Sequence, residues 1–493
     1  MAMRYLTTPI FYVNAKPHIG HLHSMLLADS LHRWNLFKGT PSRFVTGTDE
    51  HGSKVAAAAS AMGEPVKDFV DRLSGTFKSL AERGNISYDR FIRTTDPDHI
   101  SRCREFWQVL SKKGYISKGY HGGWYCVSDE TFYPESNLET GQDGIRVSKE
   151  TGKPVEWQQE ENYFFDLPQL QDRLIDWYTK NPNVIKPHAR GQQILAELST
   201  PLSKLSISRP KARCNWGITV PGDEEHTMYV WFDALINYLT ASNGCWPPQH
   251  IIGKDIMRFH AIYWPAFLMA AELPLPESIT IHNHWTMEGI KMSKSLNNVV
   301  DPIEAIEKYG LDTIRYFLMH DASLDHDTPF SYTRLCERYN VNIVNKLGNL
   351  VSRVCGPKFD IAASLRAPVD VAFAKQVNKT LASFSFHFEN HELSKALDQL
   401  NDLAMDANAY FQSTEPWAKQ GEQRDTIIHT AAETCRLIGL YLTSICPEYG
   451  NAVLDRLGVD KANRTGRFGT LGADNSYGKG VNIKGILFKK LDN

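Results

Sequence analysis

The sequence predicts an α/β chain in two parts: a doubly wound parallel sheet interrupted by a small α+β domain, followed by an α-helical bundle. Three observations predict this. Apolar, β-prone runs alternate with helical patterns up to about Gly114, aromatic residues and turns dominate Tyr115–Pro221, and helical periodicity replaces strand signals from Arg334. Ligands of a doubly wound sheet bind beyond the carboxyl ends of its strands.

Composition is that of an ordinary globular protein, with 42% hydrophobic and 22% charged residues. The 493 residues are too many for one compact domain. A net charge of -2 predicts no basic field over the whole protein, so a nucleic-acid surface must be local. Eight scattered cysteines without a C-x-x-C pair indicate a reduced, intracellular protein. We expect no signal peptide, no transit peptide in the chain as given and no membrane span.

A strand–turn–helix junction near the amino terminus is the first candidate site. Tyr5–Tyr12 is apolar and β-prone, a turn follows at Asn14–Pro17, and a helical pattern starts at Gly20. His18 and His21 lie where unpaired backbone N–H groups and the helix dipole favour an anion. Two imidazoles three residues apart can donate to phosphate oxygens, and glycine lets a nucleotide approach closely. Alone, these residues fit a metal-binding pair or two surface histidines at least as well.

A second stretch, Gly289–Ser295, carries two lysines in a loop rich in glycine and serine. The ammonium groups of Lys291 and Lys294 suit a pyrophosphate, although the stretch alone also fits a solvated basic turn. H-I-G-H after the first strand and K-M-S-K-S late in the chain are far more specific together than either is alone. The chain resembles the class I aminoacyl-tRNA synthetases and, within them, the methionyl-tRNA synthetases of the mitochondrial and bacterial type, over essentially its whole length.

The resemblance implies a Rossmann-type class I catalytic domain with a connective insertion, then an α-helical anticodon-binding domain. The predicted ranges are 1–114 for the first half of the catalytic domain, 115–221 for the insertion, 222–290 for the second half, 291–333 for the K-M-S-K-S loop and a stem-contact fold, and 334–493 for the helical domain with a C-terminal extension. We expect the sheet to resume at His226–Leu239 and its last strand at Ile279–Trp285.

The insertion departs from relatives that carry zinc. Asp129 follows Cys126 where a second thiolate ligand would stand, and no partner cysteine pair comes before Cys214. Because a structural zinc site needs four ligands, we expect no zinc. The insertion also looks too small for the editing domain of relatives that activate isoleucine, valine or leucine.

The resemblance implies a two-step reaction. The carboxylate of methionine attacks the α-phosphate of ATP–Mg²⁺ while His18, His21, Lys291 and Lys294 stabilise the departing pyrophosphate, and the terminal adenosine of tRNA(Met) then attacks the methionyl-adenylate. The residues expected to contact ATP are His18, Gly20, His21, Gly253, Asp255, Lys291, Met292, Ser293, Lys294 and Ser295.

A thioether substrate favours an apolar, aromatic lining with one or two hydrogen-bond donors to sulfur. By the resemblance, Asp49 holds the amino group of methionine, and Leu235 stands where other members have proline. The side-chain pocket is expected to comprise Ile10, Tyr12, Trp231, Ala234, Leu235, Tyr238, Ile256, His260 and Trp264. Without the family match, most of these aromatic residues would be interpreted as core, and Asp49 as a helix cap or turn former.

In the helical half, Asn349 and Arg353 lie four residues apart on one helix face, and Trp417 follows Pro416 in a loop-like stretch. All three match anticodon-binding positions of the family, where the tryptophan stacks on the first anticodon base and the other two read base edges. Without that match, Trp417 would be interpreted as a core aromatic.

Two other functions fit part of the sequence. Cytidylyltransferases also carry H-x-G-H, but they are short and lack the helical half. A catalytically silent tRNA-binding paralogue need not keep the two histidines and two lysines. The zinc-free insertion and the single anticodon domain resemble the enzymes of mitochondria and some bacteria. We therefore expect a monomer in the mitochondrial matrix, with the bacterial cytoplasm as the alternative location.

Overall fold

The computed structural model describes residues 3–128, 131–133, 135–141, 144–287, 290–292, 299–479, 481 and 485–492. The amino-terminal part alternates strands and helices as the sequence predicts. Its elements are β1 (Arg4–Tyr12), α1 (Ile19–Phe37), β2 (Ser42–Asp49), α2 (Ser53–Ala61), α3 (Val66–Arg83), β3 (Arg90–Arg93) and α4 (Pro97–Lys112). The chain leaves α1 at Gly39, whose φ of +77° is a conformation that glycine adopts without strain.

The middle of the chain consists of short strands and two helices. They are β4 (Ile116–Cys126), β5 (Thr131–Tyr133), β6 (Leu138–Thr140), β7 (Arg146–Ser148), β8 (Glu156–Phe165), α5 (Gln171–Lys180), β9 (Ile185–Lys186), α6 (His188–Leu198), β10 (Leu205–Ser206), β11 (Ser208–Pro210), β12 (Thr219–Val220) and β13 (Asp223–Met228). The long antiparallel pair of β4 and β8 forms its centre.

The next part completes the central sheet. Its elements are α7 (Val230–Thr240), β14 (Pro248–Gly253), a π-helical turn (Phe259–Tyr263), α8 (Trp264–Ala271), β15 (Ser278–His282), β16 (Trp285–Met287), β17 (Ile290–Lys291), α9 (Pro302–Tyr309), α10 (Leu311–Asp321) and β18 (Thr328–Pro329). Asp301 caps α9 through the N–H groups of Ile303 and Glu304, with Pro302 at the first helical position.

The carboxyl-terminal half is helical. Its elements are α11 (Tyr332–Arg338), a π-helical segment (Tyr339–Gly348), α12 (Asn349–Val354), α13 (Ile361–Ser364), α14 (Val371–Glu389), α15 (Leu393–Thr414), α16 (Gly421–Leu442) and α17 (Pro447–Arg456). The final segment packs back on this bundle, since Phe488 is buried and the backbone of Leu491 bonds to Asn340. The described residues 485–492 contain no strand.

The central sheet has the strand order β3-β2-β1-β14-β15-β9, and all of its pairs are parallel. This confirms the doubly wound fold. One hydrophobic core covers α1 and runs without interruption into the helical half, whereas a second core joins α4, α7 and α8 to the helices of the middle part. The helical half is therefore packed directly against the helix that carries His21.

Two details of the sheet differ from expectation. Ile185–Lys186 lies within the range predicted for the insertion, yet it pairs with β15 as the edge strand of the central sheet. A strand of two residues is too short to leave a periodic signal. The prediction that the sheet resumes at His226–Leu239 is wrong. Asp223–Met228 belongs to a separate antiparallel sheet, and Val230–Thr240 is a helix that is apolar because it is almost wholly buried.

Candidate active site

The first helix of the sheet begins on two histidines that cap it. His18 is the N-cap residue of α1, and its Nδ1 accepts the N–H of Gly20 at 3.0 Å. Nδ1 of His21 in turn accepts the N–H of His18 at 3.0 Å. Because both Nδ1 atoms accept hydrogen bonds, a neutral ring at either position carries its proton on Nε2. Each imidazole therefore has an Nε2–H donor at a helix N-terminus, where anions are favoured.

Packing fixes the orientation of this pair. The two ring centroids lie 3.9 Å apart, and the ring of His21 makes edge contacts with Phe11 and Phe77, each at 5.2 Å. A Cβ atom on Gly20 would lie 2.9 Å from Cε1 of His18. A side chain at position 20 would therefore clash with the imidazole that caps the helix. The histidines are neither a loosely held surface pair nor free to choose their rotamers independently.

The capped helix start lies where the order of the strands reverses. From β1 the chain crosses to β2 and β3 on one side, while β14, β15 and β9 extend the sheet on the other. In open parallel sheets, ligands bind in the crevice beyond the carboxyl ends of strands at this reversal. The histidines follow β1 at that end, and Asp49 and Gly253 end the two neighbouring strands. The topology therefore brings together residues more than 200 positions apart in sequence.

The second lysine stretch lies mostly outside the described residues. Ser293, Lys294 and Ser295 are not described, and for Lys291 the structure gives only its backbone, as the end of β17. Met292 is buried in the core that also contains Trp285. The roles expected for these residues therefore remain predictions.

Asp49 lies at the end of β2, beside Tyr12 in β1, and is 4% exposed. It does not cap the next helix, since α2 begins at Ser53 and its N-cap residue is Gly52. The residues after Asp49 are held tightly. Glu50 accepts two bonds from Arg93, at 2.6 and 2.9 Å. Such anchoring keeps a buried carboxylate in a fixed place at the sheet edge, as the binding of an ammonium group requires.

His51 adds a second anchor next to Asp49. Its Nδ1 lies 2.9 Å from Oδ2 of Asp233, a fully buried carboxylate of α7 whose pKa is raised by burial. Trp216, from the middle of the chain, donates its indole N–H to the carbonyl of Glu50 at 2.6 Å. The end of β2 is therefore tied both to α7 and to the segment before β13.

Four of the expected pocket residues share one face of α7. Trp231, Ala234, Leu235 and Tyr238 occupy positions i, i+3, i+4 and i+7, which a helix brings to one side. Trp231 stacks on Phe259 of the π-helical turn at a centroid distance of 3.7 Å. Phe259 was not expected from the sequence.

Hydrogen bonds fix the polar groups of this aromatic cluster. Nδ1 of His260 lies 3.0 Å from the carbonyl oxygen of Ile256, so the ring donates there and Nε2 accepts. The hydroxyl of Tyr238 donates to that Nε2 at 2.7 Å. Burial lowers the pKa of His260 to about 4, and burial also raises the pKa of Tyr238. Both groups are thus neutral near pH 7.

His250, which sequence analysis missed, completes the cluster. The indole N–H of Trp264 donates to Nε2 of His250 at 3.1 Å, and Nδ1 of His250 lies 2.7 Å from the hydroxyl oxygen of Thr7. Burial lowers the pKa of His250 well below its ordinary value. In the structure, the hydrogens of Tyr238 and Trp264 therefore both point to histidine nitrogens. These two groups are therefore not available as donors to a sulfur atom in this structure. The lining instead offers polarizable aromatic surface, which thioether sulfur favours.

The remaining expected residues lie around this cluster. Ile10 follows a register shift in β1 and is half-buried against a small core that contains Tyr5 and Ile92. Asp255 lies just beyond β14, where its Oδ1 is 3.1 Å from Nε2 of His284. A Cβ on Gly253 would lie 2.7 Å from the same carboxylate oxygen, so a larger residue there would displace the side chain of Asp255. Asp255 and His284 together present polar groups next to the end of β14.

In the helical half, two of the three expected residues bond to side chains of one helix, α15. Nδ2 of Asn349 donates to Oδ1 of Asn408 at 3.1 Å, and Arg353 donates to Oε1 of Gln412 at 2.7 Å. Both partners lie on α15. The guanidinium of Arg353 is 5.3 Å from the ring centroid of Phe411, whose ring lies 6.4 Å from that of Trp417. The structure thus brings the three expected residues to one surface.

Trp417 is 47% exposed, so the core interpretation of this residue is wrong. It lies in the short turn Pro416–Ala418 between α15 and α16. The chain enters this turn through Glu415, which has a φ of +49°. Among the described residues, no group of three metal-binding side chains could hold a metal ion, and no helix is long and apolar enough to cross a membrane.

Comparison with known proteins agrees with this geometry. The family model described as tRNA synthetases class I (M) matches residues 4–355, and the anticodon binding domain of methionyl tRNA ligase matches residues 362–493. The mitochondrial methionine–tRNA ligase of Saccharomyces cerevisiae is 42% identical, over 99% of this chain and 95% of its own length. The methionine–tRNA ligase of Rickettsia felis is 40% identical over 93% of both chains.

The solved structures agree as well. The Mycobacterium tuberculosis methionyl-tRNA synthetase in complex with methionyl-adenylate superposes with a TM-score of 0.92 at 37% identity, covering 99% of this chain and 100% of that one. The chain belongs to the methionyl-tRNA synthetases.

Family membership confirms the resemblance and the fold predicted from the sequence, including the helical anticodon domain. Sequence reasoning missed three contacts near the expected pocket residues: His250 accepts a bond from Trp264, Phe259 stacks on Trp231, and Asp233 lies beside His51, two residues after Asp49. The sequence indicated them only indirectly. Asp233 lies in α7, His250 in β14 and Phe259 in the π-helical turn, and all three segments contain or adjoin residues predicted for the site.

Proposed function

We propose that this methionine–tRNA ligase joins methionine to tRNA(Met) in two steps, with the chemistry of the first step carried out at the start of α1. The methionine carboxylate forms a bond to the α-phosphorus of ATP, which enters as its Mg²⁺ complex, and the bond to the bridging oxygen breaks. Pyrophosphate leaves with the electron pair. The 2′-hydroxyl of the terminal adenosine of tRNA then attacks the activated carbonyl carbon, and AMP leaves.

The observation that carries this proposal is the pair of Nε2–H donors formed by His18 and His21 on a helix N-terminus. Charge accumulates on phosphate oxygens as pyrophosphate departs, and fixed donors aimed at developing charge need no reorganisation when the reaction occurs. Lys291 and Lys294 are proposed to add positive charge. No protein nucleophile is required, so catalysis is positional and electrostatic.

The pocket around Tyr238 is proposed to bind the methionine side chain, with Asp49 holding its ammonium group. The proposal is supported by the aromatic lining, by the neutral state of His260 and by the anchoring of the end of β2. Asp255 and Gly253 are proposed to lie against the ATP ribose. The ribose hydroxyls can donate to the carboxylate of Asp255, which lies 3.1 Å from Nε2 of His284.

Anticodon recognition is proposed for the surface formed by Asn349, Arg353 and Trp417. An exposed indole can stack on an unpaired base, and an amide and a guanidinium can read its polar edge. We further propose a zinc-free monomer in the mitochondrial matrix, with the bacterial cytoplasm as the alternative. The similarity to a mitochondrial enzyme supports the first location, and the similarity to a rickettsial enzyme supports the second.

Amino-acid-dependent ATP–pyrophosphate exchange tests the reaction. It is run without tRNA and with methionine, leucine, isoleucine, valine and cysteine in parallel. Exchange with methionine alone is expected. Exchange with another amino acid would overturn the pocket assignment, and no exchange from folded protein would overturn the proposed reaction and favour a silent RNA-binding role.

A further inference from the structure

A polar cavity lies at the amino ends of the central strands, on the edge of the sheet opposite to the capped histidines. Its volume is about 250 Å³. Four strands contribute one lining residue each, at or next to their first position: Arg4 of β1, Gln249 of β14, Ser278 of β15 and Lys186 of β9. Gly253 lies four residues after Gln249 along β14, or about 13 Å at the usual rise of a strand. The cavity is therefore separate from the proposed ATP site.

The four strand residues lie on one face of the sheet. Gln249 is the register partner of Ser278, and Lys186 pairs two residues further along β15. Arg4 lies two residues before the partner of Gln249 in β1. Partners share a face and side chains alternate along a strand, so all four side chains project to the same side.

Helices cover this face of the sheet. Residues of α1, of the end of α14 and of the turn after it line the cavity from that side: Leu31, Trp34, Asn35, Phe388, Glu389 and His391. Strands of a parallel sheet that is covered on both faces are ordinarily rich in apolar residues. Here the sequence places an arginine, an amide, a hydroxyl and a lysine side by side under the cover, which burial alone does not favour.

Ser278 supplies a hydroxyl that is available to a ligand. The residue is 7% exposed, and its Oγ has no hydrogen-bond partner among the described residues. Buried hydroxyl groups in proteins almost always have a partner. Since Ser278 lines the cavity, its hydroxyl can donate to a group that is held there.

Lys186 supplies a positive charge. Its ammonium donates to the carbonyl oxygen of Glu389 at 2.8 Å and forms no ion pair within the described part of the chain. Burial lowers the pKa of Lys186, and the carboxylates of Glu389 and Glu277 offset only part of this effect. Burial and the same ammonium also lower the pKa of His391 well below its ordinary value, so that ring is neutral near pH 7.

The two carboxylates near the cavity already have cations of their own. Arg4 pairs with Glu277, and Lys38 pairs with Glu389. With Lys186, three positive charges therefore face two negative ones, and one positive charge is left in excess. A buried charge is stable only when it is paired and hydrogen-bonded, and a carbonyl oxygen alone provides the second of these but not the first.

We propose that the cavity binds one small polar molecule through an anionic group, a carboxylate or a phosphate, held between the ammonium of Lys186 and the hydroxyl of Ser278. These two residues lie on neighbouring strands, which run about 4.8 Å apart. The amides of Asn35, Asn183 and Gln249 line the rest of the cavity and can bond to the rest of the molecule. The site does not depend on the proposed function, because none of its residues belongs to the ATP, methionine or anticodon sites.

The test uses Lys186→Met, which keeps the length of the side chain but removes its charge, and Ser278→Ala. Lys180→Met is the matched control, because Lys180 is an exposed lysine that pairs with Asp176 of its own helix. For each protein, Tm is measured at pH 7 in rising concentrations of sodium phosphate and of sodium acetate, each against sodium chloride of equal ionic strength. ATP–pyrophosphate exchange without tRNA is measured in parallel.

A ligand that binds only the folded protein raises Tm with its concentration. The rise over chloride, in phosphate or in acetate, is expected to be smaller by at least about 1 °C in Lys186→Met than in the unchanged protein and in the control. Ser278→Ala should need roughly ten times more anion for the same rise, since a hydrogen bond to a charged group is lost. Exchange should stay within about twofold in all variants. The salt that gives the difference identifies the anionic group as a phosphate or a carboxylate.

Effects of the salts elsewhere, including at the proposed ATP site, are common to all four proteins and cancel in the comparison. An equal rise in Tm in all four would overturn the inference, since the cavity would then hold water only. A smaller rise in Lys186→Met together with loss of exchange would also overturn it, because the substitution would then have damaged the fold. The expected differences in a protein that shows no exchange would support the site and refute the proposed function.

Discussion

The proposed methionine pocket and the proposed anticodon surface use similar side chains in opposite settings. In the pocket, the polar groups of the aromatic side chains are buried. The hydroxyl of Tyr238 bonds to His260, and the indole N–H of Trp264 bonds to His250. On the anticodon surface, Trp417 is about half exposed and its neighbours bind amide side chains of α15. Burial suits a small apolar side chain, whereas exposure suits a flat base that arrives on a large partner.

The comparison implies that the two regions act on separate steps. Changes at the active site should impair activation of methionine and leave anticodon binding intact. Changes at Trp417 should impair charging of tRNA and leave activation of methionine intact. The predictions below test this separation.

The largest effect is expected from His21→Ala. Removal of a fixed donor to developing phosphate charge should lower methionine-dependent ATP–pyrophosphate exchange by about 100-fold. Binding of an anticodon stem-loop should be unchanged. His188→Ala is the control, because His188 is an exposed histidine at the start of another helix, α6. Exchange at the wild-type rate in the His21 variant would refute the assigned role.

Trp417→Ala should lower kcat/KM for charging of tRNA(Met) by about tenfold, because stacking on a base contributes about 1–3 kcal/mol. Exchange without tRNA should not change. Trp157→Ala is a suitable control, since Trp157 is also an exposed tryptophan, on the β4–β8 pair, at 59% exposure. If exchange and charging fell together, Trp417 would have a structural role and the separation of the two regions would fail.

Tyr238→Phe should raise KM for methionine by about fivefold with little change in kcat. The substitution leaves Nε2 of His260 buried without its donor, at a cost of about 1–3 kcal/mol to the pocket. Tyr178→Phe removes a similar buried bond, to the carbonyl of Ala261, outside the pocket face of α7. An equal rise in KM in both variants would mean that the effect comes from general loosening of the fold.

How far the sequence predicts each region follows from the distance over which its contacts form. The position of the two histidines at the start of α1 is a local feature that the sequence predicts, whereas the hydrogen bonds by which they cap the helix were not predicted. The face of α7 was also present as an i, i+3, i+4, i+7 spacing, but Val230–Thr240 is short, mostly apolar and buried, so its sequence was interpreted as a strand. His250 bonds to Thr7 and Trp264, one of them more than 200 residues away, and no local pattern predicts that contact. The exposure of Trp417 was expected only through the family resemblance.

The smallest effect concerns the stability of the fold at acidic pH. It depends on histidines that are buried in the part of the chain that contains the proposed methionine pocket. Burial lowers the pKa of His99 to about 3 and the pKa values of His260 and His282 to about 4. An unfolded chain has histidine pKa values near about 6.5. Between about pH 6.5 and pH 4 the unfolded chain therefore binds more protons than the folded protein, so stability is present above this range and is lost as the pH falls through it.

Thermal unfolding measured between pH 7 and pH 5 should show this loss as a falling Tm. His282→Asn removes one of the groups responsible, so its Tm should fall less steeply with acid than that of the unchanged protein, by roughly a degree per pH unit. His326→Asn replaces an exposed histidine and should leave the slope unchanged. Identical slopes in all three proteins would mean that the pKa of His282 is the same in the folded and unfolded states. The fall in Tm at acidic pH would then not be caused by the buried, neutral histidines.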